Sequence, residues 1–340
     1  MSEFRDLRSL PKAHLHLHLE GAMRPATLRE LAEEHDVALP ALPDPSRPGG
    51  YGSFTTFLDA YVAACEVLRR PEDLRRLIDE VVDDARSAGA VYAQPQFCPL
   101  DHEDRLGPPE AVVELAIDAV RQASARTGVA ADLMISADRT RPPADALRLA
   151  RVAAHHAGQG VVAFGLASDE AAAPPAPFTE AFRLARAAGL VSAPHAGEHG
   201  GPDNVRAALD ELGATRIAHG VRAVRDPALV RRLAEEQVCL DVCPTSNVVL
   251  SVVPSLAEHP LPALLAAGVP CSLNADDPLL FGSGLLEEYE RCRSGLGLSD
   301  RKLAEMARAS LTFSGAPPAV LEQGRAGVDR WLAAAMDEPR

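Results

Sequence analysis

Short runs of apolar residues alternate along this chain with longer segments in which apolar residues recur every three or four positions. The short runs are typical of buried strands, whereas segments such as 111–127 and 226–237 have the periodicity of amphipathic helices. Strands that alternate with helices predict βα units and a parallel sheet. The apolar runs number eight and lie at 13–17, 90–97, 131–136, 161–166, 190–193, 215–218, 238–242 and 270–273.

Eight βα units that close on themselves form a (β/α)8 TIM barrel, and this α/β fold is the class that the pattern predicts. The alternative is an open doubly wound sheet. That fold binds phosphate groups with a glycine-rich turn, but neither G-x-G-x-x-G after a strand nor a P-loop occurs in the sequence. We therefore expect a barrel that carries its functional residues at the C-terminal ends of the strands.

The interval between the first two runs is too long for one loop and one helix. The sequence indicates a helical insertion at roughly 25–89, interrupted by the Pro/Gly-rich segment 39–53, within a single domain that spans 1–340. We expect these helices to form a lid over the barrel mouth. Ordinary helix packing explains each apolar lid residue equally well. The side chains predicted to form the inner face of the lid are Phe54, Phe57, Leu58 and Tyr61.

Composition narrows the class of partner. The net charge of −14 over 340 residues argues against nucleic acid or an anionic membrane as the main partner. No apolar run approaches the roughly 20 residues that cross a bilayer, and the first residues do not read as a secretory signal. The six cysteines follow no disulfide framework, so we expect reduced thiols in a cytoplasmic protein. The sequence leaves the oligomeric state open.

Several of the predicted strands end beside residues that bind metal ions. His16 and His18 are two apart in the first strand, so their side chains point to the same side. His195 follows the fifth strand and Asp276 the eighth. Three imidazoles and a carboxylate suit zinc and leave a position for water. We therefore predict one zinc ion per chain on these four residues, with iron, cobalt and manganese as alternatives.

The lysines support a single ion, because dinuclear sites in barrels of this kind often use a lysine on the fourth strand. The only lysines here are Lys12 and Lys302, and neither lies on the fourth predicted strand.

Glu198 stands three residues after His195, where a protonated carboxyl group acts as a general acid, although a surface glutamate is the simpler alternative. His219 and Asp277 also follow predicted strands, and they are either functional or buried structural groups.

Five motifs occur in the order PKAHLHLHLEGA, HAGE, RIAHG, CPTSNV and SLNADDP over almost the whole chain. In this combination the chain resembles the adenosine deaminase family of the amidohydrolase superfamily. The resemblance implies zinc-dependent hydrolytic deamination of a purine at C6, with His16, His18, His195 and Asp276 as the ligands. Glu198 would then donate a proton to ring N1.

The same resemblance implies roles for other residues. His219 would orient the attacking water and stabilise its charge, and Asp276 would help as the proton acceptor. The backbone N–H of Ser168 would face N3, although family members usually have glycine there. The residues expected to contact the substrate are His18, Glu20, Ser168, Asp277, Phe54, Phe57 and Leu58, with Asp277 on N7.

The sequence features that indicate the substrate disagree with one another. Members that act on adenosine usually have aspartate at the position of Glu20, whereas members that act on free adenine often read HLHLEG, as this chain does. SLNADDP and CPTSN resemble the nucleoside-specific branch. The sequence therefore favours adenosine or deoxyadenosine, converted to the inosine product and ammonia. Free adenine or a modified nucleoside such as aminodeoxyfutalosine is the alternative, and another amidohydrolase reaction or a catalytically inactive binding barrel is more distant.

Overall fold

The protein is described by a computed structural model that covers residues 5–41 and 50–334. All eight predicted runs contain strands, and all the strands pair in parallel. The third predicted run is divided between two strands, and a further short strand follows the fifth run. The strands are β1 Lys12–His18, β2 Ala90–Phe97, β3 Ala130–Ala131, β4 Leu133–Asp138, β5 Val161–Ala167, β6 Val191–Ser192, β7 His195–Ala196, β8 Arg216–His219, β9 Cys239–Val242 and β10 Cys271–Leu273.

The strands form two arcs that join into a barrel. One arc has the order β1-β2-β4-β5-β6, with β3 paired to β2, and the other has the order β10-β9-β8-β7. Between β6 and β7 stands Pro194, which has no N–H to continue the ladder. Hydrogen bonds from His18 N to Asp276 O (2.9 Å) and from Asp276 N to His16 O (3.1 Å) join the first strand to the segment after the last. The expected (β/α)8 barrel is thereby confirmed.

Helices follow the strands and cover the outside of the barrel. Many of them begin with proline in the first turn, where the missing N–H costs no helical hydrogen bond. In the part of the chain that the structure describes, no helix is long and apolar enough to cross a membrane. The helices are α1 Pro25–Glu34, α2 Phe54–Glu66, α3 Pro71–Ser87, α4 Glu103–Leu106, α5 Pro109–Thr127, α6 Pro143–His155, α7 Thr179–Ala187, α8 Pro202–Asp210, α9 Pro227–Glu235, α10 Pro244–Val249, α11 Leu261–Ala266, α12 Pro278–Phe281, α13 Leu285–Gly295, α14 Asp300–Thr312 and α15 Pro318–Ala333.

The described residues of the insertion between β1 and β2 include the helices α1, α2 and α3, and only part of the insertion covers the barrel mouth. Helix α2 lies over the mouth, where Phe57 stacks on Phe281 with ring centroids 5.4 Å apart. Helix α3 instead packs against β2 and α5, as the outer helix of the first βα unit does. Its buried apolar stripe, which includes Leu77 and Val81, explains this placement. Most of the Pro/Gly-rich link, residues 42–49, lies outside the described residues.

The barrel interior below the mouth contains a buried ion pair. Arg216 Nε lies 2.7 Å from Asp241 Oδ2, and both side chains are almost completely shielded from solvent. Ser272 Oγ donates to the other carboxylate oxygen at 2.7 Å, and Arg216 Nη2 donates to Gln94. The carbonyl oxygen of Asp241 also lies 3.3 Å from His16 Nδ1. The ion pair therefore supports the strand that orients one of the predicted metal ligands.

We predict that Asp241→Asn lowers the free energy of unfolding by about 3–5 kcal/mol, because it leaves the buried Arg216 guanidinium without a charged partner. Denaturant titration followed by circular dichroism measures the change. The matched control is Glu305→Gln, which removes an exposed partner of Lys302 (2.7 Å), and it should change the stability by about 1 kcal/mol or less. Equal effects of the two variants would contradict the assignment.

Candidate active site

Side chains from four strand ends meet at the C-terminal end of the barrel. His16 Nε2 lies 3.0 Å from Asp276 Oδ1, and His18 Nε2 lies 3.3 Å from the same oxygen. His18 Nε2 also lies 3.3 Å from His195 Nε2. All four side chains that the sequence predicts as metal ligands are therefore brought together, although no strand supplies more than two of them.

The histidine rings are held so that one nitrogen of each faces the centre. His16 Nδ1 is near the carbonyl oxygen of Asp241 (3.3 Å), and His195 Nδ1 is near that of Leu166 (3.0 Å). A carbonyl at Nδ1 places the proton there and leaves Nε2 free to bind a metal ion. His16 Nε2 is buried and makes no hydrogen bond, although Asp276 Oδ1 lies 3.0 Å away. This buried nitrogen, with its free lone pair, and the nearby carboxylate fit a divalent metal ion.

The most compact donor group differs from the predicted ligand set by one residue. His16, His195, His219 and Asp276 each offer a donor atom within 4.8 Å of the others, and His18 instead groups with Asp276 and Asp277. A zinc ion takes four ligands, or five in some catalytic sites, and a water is one of them, so it does not need all of these side chains. The distances alone therefore leave His18 and His219 as competing candidates for the last position.

The backbone is strained where the catalytic residues were predicted. Ser168, His219 and Asp276 have φ values of 76°, 61° and 62°, in the left-handed region that side chains other than glycine rarely adopt. Strain of this kind persists only where the surrounding structure imposes it, and it concentrates at functional sites. At Ser168 the conformation also explains why glycine suits this position.

Asp276 is held as an acceptor among the imidazoles. Ser246 Oγ donates to Asp276 Oδ2 at 2.7 Å. Burial raises the pKa of Asp276, but the neighbouring His16 and His219 outweigh burial and hold this pKa well below its usual range. The carboxylate therefore stays charged and able to bind a cation or accept a proton.

Glu198 has the opposite electrostatic setting. Burial, and next the negative charges of Asp276 and Glu170, raise its pKa well above the ordinary value. A carboxyl group that stays protonated is suited to general acid catalysis. Its oxygen Oε1 lies 3.6 Å from His219 Nε2, so the predicted acid and the predicted orienting histidine face each other.

The loop that carries Glu198 is fixed by a carboxylate that the sequence reasoning missed. Glu170 is buried and accepts hydrogen bonds from the backbone N–H groups of Gly197 (2.7 Å), Glu198 (2.9 Å) and Gly200 (2.6 Å). Arg139 donates to the carbonyl oxygen of His195 at 2.6 Å from the other side. The LASDE segment contains Glu170, but its acidic residues read as an ordinary loop until the fold places them under HAGE.

Asp277 is positioned by its contact with the HLHLEG motif. A Cβ atom at Gly21 would lie 1.7 Å from Asp277 Oδ1, so only glycine leaves room for this carboxyl group. Asp277 Oδ1 is buried without a hydrogen-bond partner. Burial, and next the charge of Asp276, raise the pKa of Asp277 well above its usual range. The group is suited to donate a hydrogen bond to a ligand.

Glu20 lies beside the cavity rather than in its wall. His102 Nε2 lies 2.6 Å from Glu20 Oε1, and the Tyr61 hydroxyl donates to Glu20 Oε2 at 2.6 Å. Tyr61 lines the cavity and Glu20 does not. The predicted contact of Glu20 with a substrate is therefore indirect, through Tyr61. His102 carried no sequence motif that could have identified it.

The candidate ligands His16, His18, His195, His219 and Asp276 are called the metal-binding cluster below. A cavity of 390 Å³ opens onto this cluster, and its size is in the range of small-molecule sites. The predicted lid residues Phe54, Phe57 and Leu58 line it, as do Ser168, Asp277 and Glu198. Its wall also contains Asp101, Asp138 and Arg141. The cavity joins the predicted acid, the metal-binding cluster and the apolar face of α2 in one space.

Comparison with known proteins identifies the family. The adenosine deaminase family model matches residues 11–329. A Streptomyces virginiae protein whose name assigns it to adenosine/adenine deaminases is 45% identical over 337 residues, which cover 98% of this chain and 99% of that protein. An adenine deaminase from Chelativorans sp. is 41% identical over 297 residues, which cover 86% of this chain and 90% of the relative.

Solved structures agree with the sequence comparison. The crystal structure of adenine deaminase from Arthrobacter aurescens matches with a TM-score of 0.87 and 32% identity over 96% of this chain and all of that one. An amidohydrolase from Burkholderia ambifaria with bound Zn has a TM-score of 0.85 and 27% identity, over 96% of this chain and 94% of its own. The chain therefore belongs to the adenosine deaminase family, a family of metal-dependent hydrolytic deaminases.

Proposed function

We propose that this protein removes the 6-amino group of free adenine by hydrolysis and releases hypoxanthine and ammonia. The observation that carries this choice is the state of Glu20. Both of its carboxylate oxygens have partners at 2.6 Å, and the side chain is buried outside the cavity wall. A ribose 5′-hydroxyl would find no free carboxylate there. The names of the Chelativorans and Arthrobacter relatives support the same substrate.

This choice differs from the sequence-based preference for adenosine. That preference rested on motifs around Asp276 and Asn247, which lie in the catalytic half of the site and are needed for either substrate. Discrimination between base and nucleoside depends instead on Glu20, Tyr61 and His102, which meet only in the folded chain.

We propose zinc as the metal, held by His16, His18, His195 and Asp276. When bound, zinc would lower the pKa of a water molecule to about 7 and so supply a nucleophile at neutral pH. Asp276, which Ser246 orients, accepts the proton of the attacking water. His219 Nε2 lies 3.7 Å from Asp276 Oδ2, close enough to orient the same water.

The purine is activated from the side of Glu198. Its protonated carboxyl group donates to ring N1, which makes C6 more electrophilic as water adds there. Asp277 donates to N7, and the backbone N–H of Ser168 faces N3. The proton accepted by Asp276 then passes to the 6-amino group, and the C6–N bond breaks so that ammonia leaves. The C6 hydroxyl group gives up its proton, which restores the Glu198 carboxyl group, and becomes the carbonyl group of hypoxanthine. The aromatic face of α2 excludes bulk water from the ring.

A larger 6-aminopurine nucleoside is the second candidate, and one observation favours it. The wall of the cavity also contains Asp101, Asp138 and Arg141, from the ends of β2 and β4 and the segments after them. None of these polar groups is expected to hold the base, and they suit a substituted ribose of the kind present in aminodeoxyfutalosine.

A panel of adenine, adenosine and aminodeoxyfutalosine tests the choice of substrate through the absorbance change on deamination. We expect the highest kcat/KM with adenine. Glu20→Asp shortens the side chain, releases Tyr61 or His102 and should lower the ratio of kcat/KM for adenine to that for adenosine by about 10-fold or more. Glu114→Asp, at an exposed position on α5, is the matched control and should leave the ratio unchanged. A wild type that prefers adenosine would exclude the adenine proposal.

Glu198→Gln tests the acid. The amide cannot donate the catalytic proton as a carboxyl group does, so kcat should fall by about 10²–10⁴-fold while about one zinc per chain remains bound. Metal analysis by mass spectrometry measures the zinc. His16→Ala should instead lose both zinc and activity, and the exposed Glu110→Gln should change neither. Near-normal turnover of Glu198→Gln would remove Glu198 from the mechanism.

Glu170→Gln tests the support of the acid loop. A carboxamide has one acceptor oxygen for three N–H groups, so we expect a roughly 10²-fold lower kcat through misplacement of Glu198, with the zinc content retained. The neighbouring Asp169→Asn, which affects only a local turn at Ala171, should keep kcat within about two-fold. Equal rates for the two variants would show that the three hydrogen bonds do not position the acid.

A further inference from the structure

His259 belongs to none of the five family motifs, yet it is connected to the centre of the site. It lies before α11, is buried, and contacts Asn247 with Nε2 3.0 Å from Oδ1. Asn247 Nδ2 in turn lies 3.1 Å from His219 Nδ1. The three side chains are 4%, 0% and 1% exposed in the order His259, Asn247, His219, so water does not compete for these contacts.

One backbone group determines the direction of the hydrogen bonds that link His259, Asn247 and His219. Leu261 N–H donates to His259 Nδ1 at 3.1 Å, and a backbone N–H can only donate. Neutral His259 therefore carries its proton on Nε2 and donates it to Asn247 Oδ1. The Asn247 amide nitrogen then donates to His219 Nδ1. Since Nδ1 accepts, the proton of neutral His219 is on Nε2.

We propose that His259 is a positioning residue that, through Asn247, keeps the proton of His219 on Nε2, so that His219 acts in the site as a hydrogen-bond donor and not as a metal ligand. This inference rests on the proposed deaminase site for its catalytic meaning. It also resolves the competition for the last ligand position, because a protonated Nε2 has no lone pair for a metal ion. His18 then completes the donor set.

Each alternative arrangement places two donors against each other. A proton on His219 Nδ1 would face the Asn247 NH2 group. Rotation of the Asn247 amide by 180° would remove that conflict, but its NH2 group would then face His259 Nε2–H. His259 cannot move its proton to Nδ1, because the Leu261 N–H already occupies that position. Burial lowers the pKa of His259 to about 4, which agrees with a neutral ring at physiological pH.

The consequence for catalysis lies at His219 Nε2. This nitrogen is 3.6 Å from Glu198 Oε1 and 3.7 Å from Asp276 Oδ2. A proton there can be donated to a water or to the developing oxygen charge between the two carboxyl groups. With the other tautomer, a lone pair would face the same groups and repel the charge that forms in the transition state.

The test combines ¹⁵N NMR of histidine-labelled protein with metal analysis and kinetics. In wild type, with and without zinc, the His219 ring nitrogens should show protonation at Nε2 and none at Nδ1. In Asn247→Asp both side-chain oxygens accept hydrogen bonds, so residue 247 can no longer donate to His219 Nδ1. The His219 proton should therefore move to Nδ1. We expect a large fall in kcat at unchanged zinc content, up to the roughly 10⁴-fold loss that is known where a catalytic histidine is held in the wrong tautomer.

Three further variants keep the proposal falsifiable if Asn247→Asp fails to fold. His259→Gln retains a donor to Asn247 and should preserve the His219 tautomer, whereas His259→Phe should produce a mixture of tautomers and a lower kcat. His219→Gln should retain about one zinc per chain. The matched control is His155→Phe, which changes an exposed histidine on α6 and should leave all readouts unchanged.

A His219 proton found on Nδ1 in wild type, or zinc lost from His219→Gln, would overturn the proposal. An unchanged tautomer in both Asn247→Asp and His259→Phe would overturn it as well. The NMR and metal measurements need no substrate. A protein that is inactive on every aminopurine but shows the expected tautomers would therefore refute the proposed function and not the relay.

Discussion

The site depends on the segment that closes the barrel. The backbone of Asp276 exchanges hydrogen bonds with His16 and His18 and so joins the last strand to the first. Its side chain, turned inward by a left-handed φ of 62°, brings a carboxylate within 3.0 and 3.3 Å of the same two histidines. Barrel closure and the metal-binding cluster are therefore one constraint. A chain that closed in another register would place neither the ion pairs nor the donor atoms correctly.

Around this point the protein orients its imidazoles with groups that do not titrate. Carbonyl oxygens of Asp241 and Leu166 face the outer nitrogens of His16 and His195, and a backbone N–H determines the proton positions from His259 to His219. The side chains carry the reactive groups, whereas backbone groups determine how the imidazole rings and their protons are oriented. This arrangement suits a cluster in which several buried ionisable groups would otherwise have many possible protonation states.

The lid and the barrel are joined by a separate polar contact. Tyr61 on α2 donates to Glu20, which follows β1, and Glu20 also contacts His102 after β2. The face of the lid that covers the cavity is therefore tied to the strand that holds His16 and His18. A change in this contact would alter both the shape of the cavity and the position of the lid.

The sequence by itself determined the barrel and the identity of the predicted catalytic residues, because both depend on local patterns. Apolar runs of strand length indicated the eight strands, and the polar residues that end those runs must meet at one end of a parallel barrel. Only the tertiary structure decided where Glu20 points, and that Glu170, His102 and His259 hydrogen-bond to segments of the site. The hydrogen-bond partners of these residues lie 12 to 82 positions away in the sequence. Helix α3 was predicted to be part of the lid, but its apolar stripe packs on β2 and α5 instead. Such pairings have no periodicity along the chain, so they exist only after folding has brought the segments together.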